Sequence, residues 1–321
     1  MKRSLKSMKR KRLMMGYAVD EFEKRLGEFL GVDPSLIIAS NSGSSALLVA
    51  IKVLNPLKVA VPIYTCAAVS QAAYLAGKQV EFEDNYSTEN FFSKSANPNS
   101  DSLRILVHTF GVPHPDLSQS TGVIEDCAQA IGAKLNGKSL GLIGEEGTYS
   151  FSATKLITTA GAGGATIFRN EEMANYARDI LDYDSPRNPK TKFNLKMTDV
   201  AAEFGIAQLS RINQFIQKRE EIFEIYRNAG LPLLAADLPD EVSPVRYRAI
   251  IKVETPSAVI EKLRTYGIGC IYPIHQSEFV CNPDMFPNAQ KFSQNHISLP
   301  IFPDLSFRSA KKIAKLVGSM L

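Results

Sequence analysis

The chain of 321 residues is expected to fold as an α/β protein. It should have a mostly parallel central sheet flanked by helices, then a smaller C-terminal α/β unit. Two observations lead there. Over the first two-thirds, short β-rich runs alternate with helix-like stretches, the rhythm of strands joined by helical crossovers. Past Gly230 a second, shorter group of strand and helix candidates begins, and the length suits two units better than one.

In order, Leu36-Ile37-Ile38-Ala39 reads as a strand and Ser44 to Leu54 as the helix after it. Val59-Ala60-Val61 is the next strand, and Ala67 to Ala76 the next helix, stopped by Gly77. Val80-Glu81-Phe82, Leu103 to Val107 and Val123 to Asp126 are the next short β-rich runs and read as strands. Thr148 to Phe151 and Ala165 to Phe168 add two more, while the Ser- and Asn-rich stretch from Asn85 to Asp101 reads as a surface excursion. Tyr183 to Lys192 carries Ser185, Pro186, Asn188 and Pro189 and predicts a loop. Val200 to Tyr226 reads as one long amphipathic helix anchored by Phe204, Leu209, Ile212, Ile216, Phe223 and Tyr226. Arg248 to Val253 and Ile268 to Tyr272 are strand candidates, Ser257 to Tyr266 a helix, and Ser306 to Met320 a closing helix.

Charge and cysteine usage exclude several classes. The net charge is +4, and Lys2, Arg3, Lys6, Lys9, Arg10, Lys11 and Arg12 crowd the start. The remainder is close to neutral, so no nucleic-acid-binding pattern runs through the chain. No apolar stretch follows the basic start, as a secretory signal would need, and no run is long enough to span a bilayer. Cys66, Cys127, Cys270 and Cys281 fit no zinc or redox spacing. Reduced thiols in the cytoplasm and no metal are therefore expected.

Three segments carry candidate chemistry. Asn41-Ser42-Gly43-Ser44-Ser45-Ala46 joins a strand to a helix, where small residues and free amides can cradle an anion; plain helix capping explains it equally well. Val123-Ile124-Glu125-Asp126-Cys127-Ala128-Gln129 puts an acid at the carboxyl end of a strand, where such folds bind ligands, although Asp126 could simply cap the next turn. Ser150-Phe151-Ser152-Ala153-Thr154-Lys155 offers an amine that can condense with an aldehyde, and Gly161-Ala162-Gly163-Gly164 permits a tight return. Taken alone, Lys155 reads better as a surface lysine before a Gly-rich hairpin.

Together these segments resemble a known family. The chain also reads Val61-Pro62-Ile63-Tyr64-Thr65, His108-Thr109-Phe110-Gly111, Ala130-Ile131-Gly132-Ala133, Gly137-Lys138 with Gly141, Phe193-Asn194, Gln208-Leu209 and Leu299-Pro300. Over nearly its whole length it is similar to the DegT/DnrJ/EryC1/StrS family of fold-type-I pyridoxal-phosphate enzymes, chiefly nucleotide-sugar aminotransferases. It looks like a short member. The basic run over residues 1–15 reads as a mobile or partner-contacting arm, and the resemblance implies a large PLP-binding domain over 16–228 and a small C-terminal domain over 229–321.

By the same resemblance, Lys155 would carry pyridoxal 5′-phosphate (PLP, cycling to PMP) as a Schiff base and act as acid and base. Asp126 would pair with the pyridine nitrogen, and Gln129 would lie near the phenolic oxygen. Ser44, Ser45 and Ser150 would hold the phosphate, and Cys66 stands where an aromatic residue usually covers the ring. Asn194 would reach the phosphate of a neighbouring subunit, implying a homodimer with shared active sites. His108 and His275 are substrate-side candidates, although a packed structural role is the preferred reading of His108. Arg219 reads as a helix-surface or interface ion pair. The expected activity is transfer of an amino group, from glutamate, to a keto-sugar nucleotide in surface-polysaccharide or glycan-precursor synthesis. Two other readings are a degenerate paralogue, favoured by Cys66 and Ala162, and a sugar dehydratase, in which histidine would replace Lys155.

Overall fold

The computed structural model describes residues 14–95, 101–118, 122–184 and 192–321. The basic arm expected over 1–15 lies almost entirely outside them, as do parts of the predicted excursion and loop. In chain order, α1 (Tyr17–Leu30) precedes β1 (Ile37–Ser40), α2 (Gly43–Leu54), β2 (Lys58–Pro62), α3 (Ala68–Leu75) and β3 (Gln79–Glu83). Next come β4 (Leu103–Val107), β5 (Val123–Asp126), the short β6 (Lys134–Leu135) and β7 (Lys138–Ser139), β8 (Glu146–Ser150) and β9 (Gly164–Ile167). Helices α4 (Glu171–Leu181), α5 (Asp199–Leu209) and α6 (Ile212–Asn228) lead to β10 (Val242–Ser243) and β11 (Ala249–Lys252). The chain closes with α7 (Pro256–Thr265), α8 (Pro287–Asn295), β12 (His296–Leu299) and α9 (Phe307–Gly318).

The main sheet runs β1-β9-β8-β5-β4-β2-β3. Strands β3, β2, β4, β5 and β8 are parallel, while β9 is antiparallel to both neighbours. Helices cover both faces, so β1, β5, β8 and β9 are buried along their whole length. From β2 the chain crosses outward to β3, then returns to β4 on the other side. That reversal opens a crevice at the carboxyl ends of the strands, where open α/β sheets take ligands.

One face is packed by α1 and α5, through Phe22, Leu26, Ala202 and Ile206. Asp199 fixes this pair by accepting the Gly16 and Ala18 amides at the start of α1, at 3.0 and 2.8 Å. A second core gathers Ile222, Phe223 and Tyr226 of α6 with β11, β12, α7 and α9. An aromatic cluster that includes Tyr64, Phe91, Phe110 and Phe292 joins it to the sheet edge. Among the described residues, no helix is long and apolar enough to cross a membrane.

Three expectations are corrected. The predicted helix over Val200 to Tyr226 is two helices, broken at Ser210 and Arg211, where the Ser210 hydroxyl donates to the Ala207 carbonyl at 2.8 Å. Phe204, taken as an anchor, is 46% exposed. The predicted strand over Ile268 to Tyr272 reduces to one bridge, Ile271 with Ser298, because Gly267, Gly269 and Pro273 break the run.

Candidate active site

The predicted residues come from different crossovers and meet at one sheet edge. Ser42 caps α2: its hydroxyl accepts from the Ser45 amide at 3.1 Å and lies 2.8 Å from the Ser45 hydroxyl, which donates to Asn41 Oδ1 at 2.6 Å. Ser45 is thus committed to the cap, while Ser44 is exposed in the helix's first turn. The first-turn amides add a partial positive charge there. Two glycines permit this approach. A Cβ at Gly43 would lie 2.6 Å from Ser150 Cβ, and one at Gly164 would lie 2.3 Å from the Ser42 carbonyl oxygen. Ser150 is thereby held against the start of α2.

Asp126 ends β5, is 4% exposed, and accepts the Ala128 amide at 2.9 Å. Burial pushes its carboxyl above the ordinary range, opposed by that amide and by the nearby Lys155 amine. A buried acid of this kind is stabilised by a cation brought to it. Gln129 uses its carbonyl oxygen to accept the Phe110 amide at 2.8 Å, which leaves its NH2 free to donate. Phe110 itself sits in the left-handed region at φ 59°. Lys155 is half-buried, with Nζ 5.6 Å from the centre of the Tyr247 ring.

His108 takes the packed structural role preferred for it over the substrate-side one. It is fully buried, lies 3.0 Å from Glu125 through Nε2, and accepts the His114 amide at Nδ1 at 3.0 Å. No ring nitrogen is left for a substrate. Burial alone would raise the Glu125 carboxyl, but His108 and the amides of Gly141, Ile143 and Gly144 hold it below its ordinary value. His108, Glu125 and Cys127 could geometrically hold a metal ion. The Glu125 oxygens are already fully engaged, however, and burial pushes the Cys127 thiol up, so this is a hydrogen-bonded core group. Glu125→Gln should cost about 2 kcal/mol of stability, because an NH2 would face backbone donors. Urea denaturation checks it; an unchanged midpoint would refute it.

The other candidates fall as follows. Cys66 is exposed just before α3, on the loop that leaves β2. Asn194 is exposed, and the carbonyl of its neighbour Leu195 accepts the Asn41 amide at 2.8 Å, which puts Asn194 beside this chain's own anion loop. His275 caps a short turn, with Nδ1 2.8 Å from Ser277 Oγ, and packs edge-on against Tyr272. Arg219 is not on the surface. It is buried and donates to the carbonyls of Tyr247 and Ile301 at 3.0 and 2.8 Å, and burial pushes its pKa down to about 10. Tyr247 escaped the sequence reading. Its ring packs beside Lys155 and its hydroxyl donates to the Thr154 carbonyl at 3.2 Å. The available signal was an aromatic residue between Arg246 and Arg248, directly before a buried strand.

This set fits a phosphorylated pyridine aldehyde: an amine, a buried acid wanting a cation, a free amide donor, and a helix N-terminus with hydroxyls for a phosphate. The model of the DegT/DnrJ/EryC1/StrS aminotransferase family matches residues 1–318. The chain is similar to the GDP-perosamine synthase of Vibrio cholerae, at 27% identity over 94% of this chain and 90% of that protein. It is also similar to the UDP-4-amino-4,6-dideoxy-N-acetyl-beta-L-altrosamine transaminase of Campylobacter jejuni, at 26% identity over 98% and 93%. In fold it is similar to a Streptococcus pneumoniae chain assigned as a sugar aminotransferase and solved in its PLP form. There the TM-score is 0.85 at 22% identity, over 98% of this chain and 94% of that one.

Proposed function

Since this chain belongs to the DegT/DnrJ/EryC1/StrS aminotransferase family, we propose that it transfers the amino group of glutamate to a keto-sugar nucleotide, for glycan-precursor synthesis in the cytoplasm. The observation that carries this reading is the convergence of Lys155, Asp126 and Gln129 on one crevice edge, beside the anion loop of α2. The similar proteins named above, a perosamine synthase and an altrosamine transaminase, support the sugar-nucleotide acceptor.

Bound here, PLP supplies an aldehyde for amines and a ring that withdraws electrons from the neighbouring carbon. The residues of the chain do the rest. Lys155 Nζ anchors the cofactor and, as the free amine, takes the proton from the donor's α-carbon and returns one to the accepting carbon. Asp126 would pair with the ring nitrogen of the bound cofactor, which would hold the carboxyl ionised and a proton on that nitrogen. Gln129 directs its NH2 at the ring's phenolic oxygen. Ser44 and Ser150 orient the phosphate, with Ser45 acting through the cap it shares with Ser42. Cys66 covers less of the ring than an aromatic side chain would. His275, with Nε2 unused by its cap, faces the sugar. A two-fold homodimer is part of this reading, with Asn194 reaching the partner's phosphate; the exposure of Asn194 in the single chain supports it.

Absorption spectroscopy tests the proposal. Protein mixed with PLP should develop a visible band that is lost in Lys155→Ala, and excess glutamate should collapse it. A band that no amino acid alters would overturn the transaminase reading, and absence of any band would favour the degenerate paralogue.

A further inference from the structure

Three cations surround one aromatic ring at the edge of this site. Around the Tyr247 centroid lie Lys155 Nζ at 5.6 Å, Arg248 Cζ at 5.6 Å and Arg219 Cζ at 5.8 Å. Arg219 is committed to two carbonyls. Arg248 is not. It is half-buried, and one N–H reaches the Ser298 hydroxyl at 3.3 Å, a long bond to a neutral partner. Among the described residues no carboxylate forms an ion pair with it, whereas its neighbour Arg246 pairs with Glu220 and Arg104 with both Glu83 and Asp116.

A guanidinium partly withdrawn from water is costly unless an anion meets it, and its rigid fork of donors matches a carboxylate. Beyond the long bond to Ser298, the Arg248 fork is left to donate, with no carboxylate partner among the described residues.

We propose that Arg248 binds the carboxylate of the amino donor and so selects an α-amino acid over a simple amine. This rests on the aminotransferase reading above. A donor's amine must approach Lys155, and its carboxylate hangs from the same carbon. In a sugar nucleotide the diphosphate stands across the sugar ring from a 4-keto carbon. Arg248 shares its aromatic neighbour with Lys155, which suits the nearer anion.

The test is calorimetric titration of the PLP-loaded protein with glutarate, a dicarboxylate without an amine, alongside kinetics of wild type, Arg248→Gln and Arg248→Lys. Arg248→Gln should weaken glutarate binding roughly 30-fold, and Arg248→Lys roughly 10-fold, because the charge remains but the fork is lost. KM for glutamate should rise in parallel, with KM for the sugar nucleotide unchanged and the visible cofactor band intact in both variants. Unchanged glutarate affinity in Arg248→Gln would overturn the assignment, as would a rise confined to the KM of the sugar nucleotide. Arg248-dependent glutarate binding in a protein whose band glutamate cannot alter would keep Arg248 as the carboxylate site and count against the transaminase alone.

Discussion

Lys155→Ala should lower the rate of amino transfer by at least ~10⁴-fold, since it removes the nucleophile and the proton-moving base together. The position of this residue supports so large an effect. Nζ lies over Tyr247, and its charge reaches the buried Asp126, so the amine sits between the acid and the open crevice. Water or a distant lysine would lack the effective concentration of a tethered amine. Structural damage should be small, because the side chain is half-buried and its amine makes no hydrogen bond among the described residues. Thermal unfolding of the variant without cofactor should match wild type. Methylamine at high concentration should restore a small part of the rate, since it can move the proton but is not held in place. Residual activity above a hundredth of wild type would show that another group performs the transfer.

The second large effect concerns stability and pH. Glu146, at the amino end of β8 and far from the candidate site, is 1% exposed, and neither carboxyl oxygen has a partner. Burial first, and the nearby Glu145 second, raise its pKa to about 9 from 4.5. Because the folded value lies above the unfolded one, the contribution is fully present below about pH 4.5 and is lost as pH rises through 9. Across that window the slope approaches ~1.4 kcal/mol per pH unit. Glu23, with its pKa raised to about 7 by burial against the pull of Arg178, adds a contribution of the same sign over a narrower pH window. Glu146→Gln keeps the shape and removes the titration. It should therefore be more stable than wild type at pH 8 by roughly 3 to 5 kcal/mol and nearly equal at pH 4.5. Urea denaturation at the two pH values decides. Parallel curves for the two proteins would mean that Glu146 finds a partner on ionisation.

Much of the fold could be read along the chain because its strands are buried on both faces. Leu103 to Val107, apolar apart from Arg104, and Val123 to Asp126, which opens on Val123 and Ile124, became β4 and β5 with those same limits. Helix α1 was not foreseen, because the charges from Asp20 to Lys24 hide the spacing of Phe22, Leu26 and Leu30, which turn inward. The break at Ser210 was also hidden, since both helices keep an apolar stripe and the interruption is a local hydrogen bond.

By itself the sequence determined the parallel sheet, the strand-end positions of Asp126 and Lys155, and the glycines that let Ser42, Ser150 and α2 close together. These follow from period, residue type and backbone freedom, all of which act over a few neighbours. The tertiary structure decided which polar groups remain unsatisfied. His108 and Glu125 are seventeen residues apart and satisfy each other, whereas Tyr247 and Arg248 arrive from the far side of the second core to stand beside Lys155. Burial and pairing depend on contacts between distant segments, so the spent histidine and the waiting arginine became distinguishable once the chain was folded.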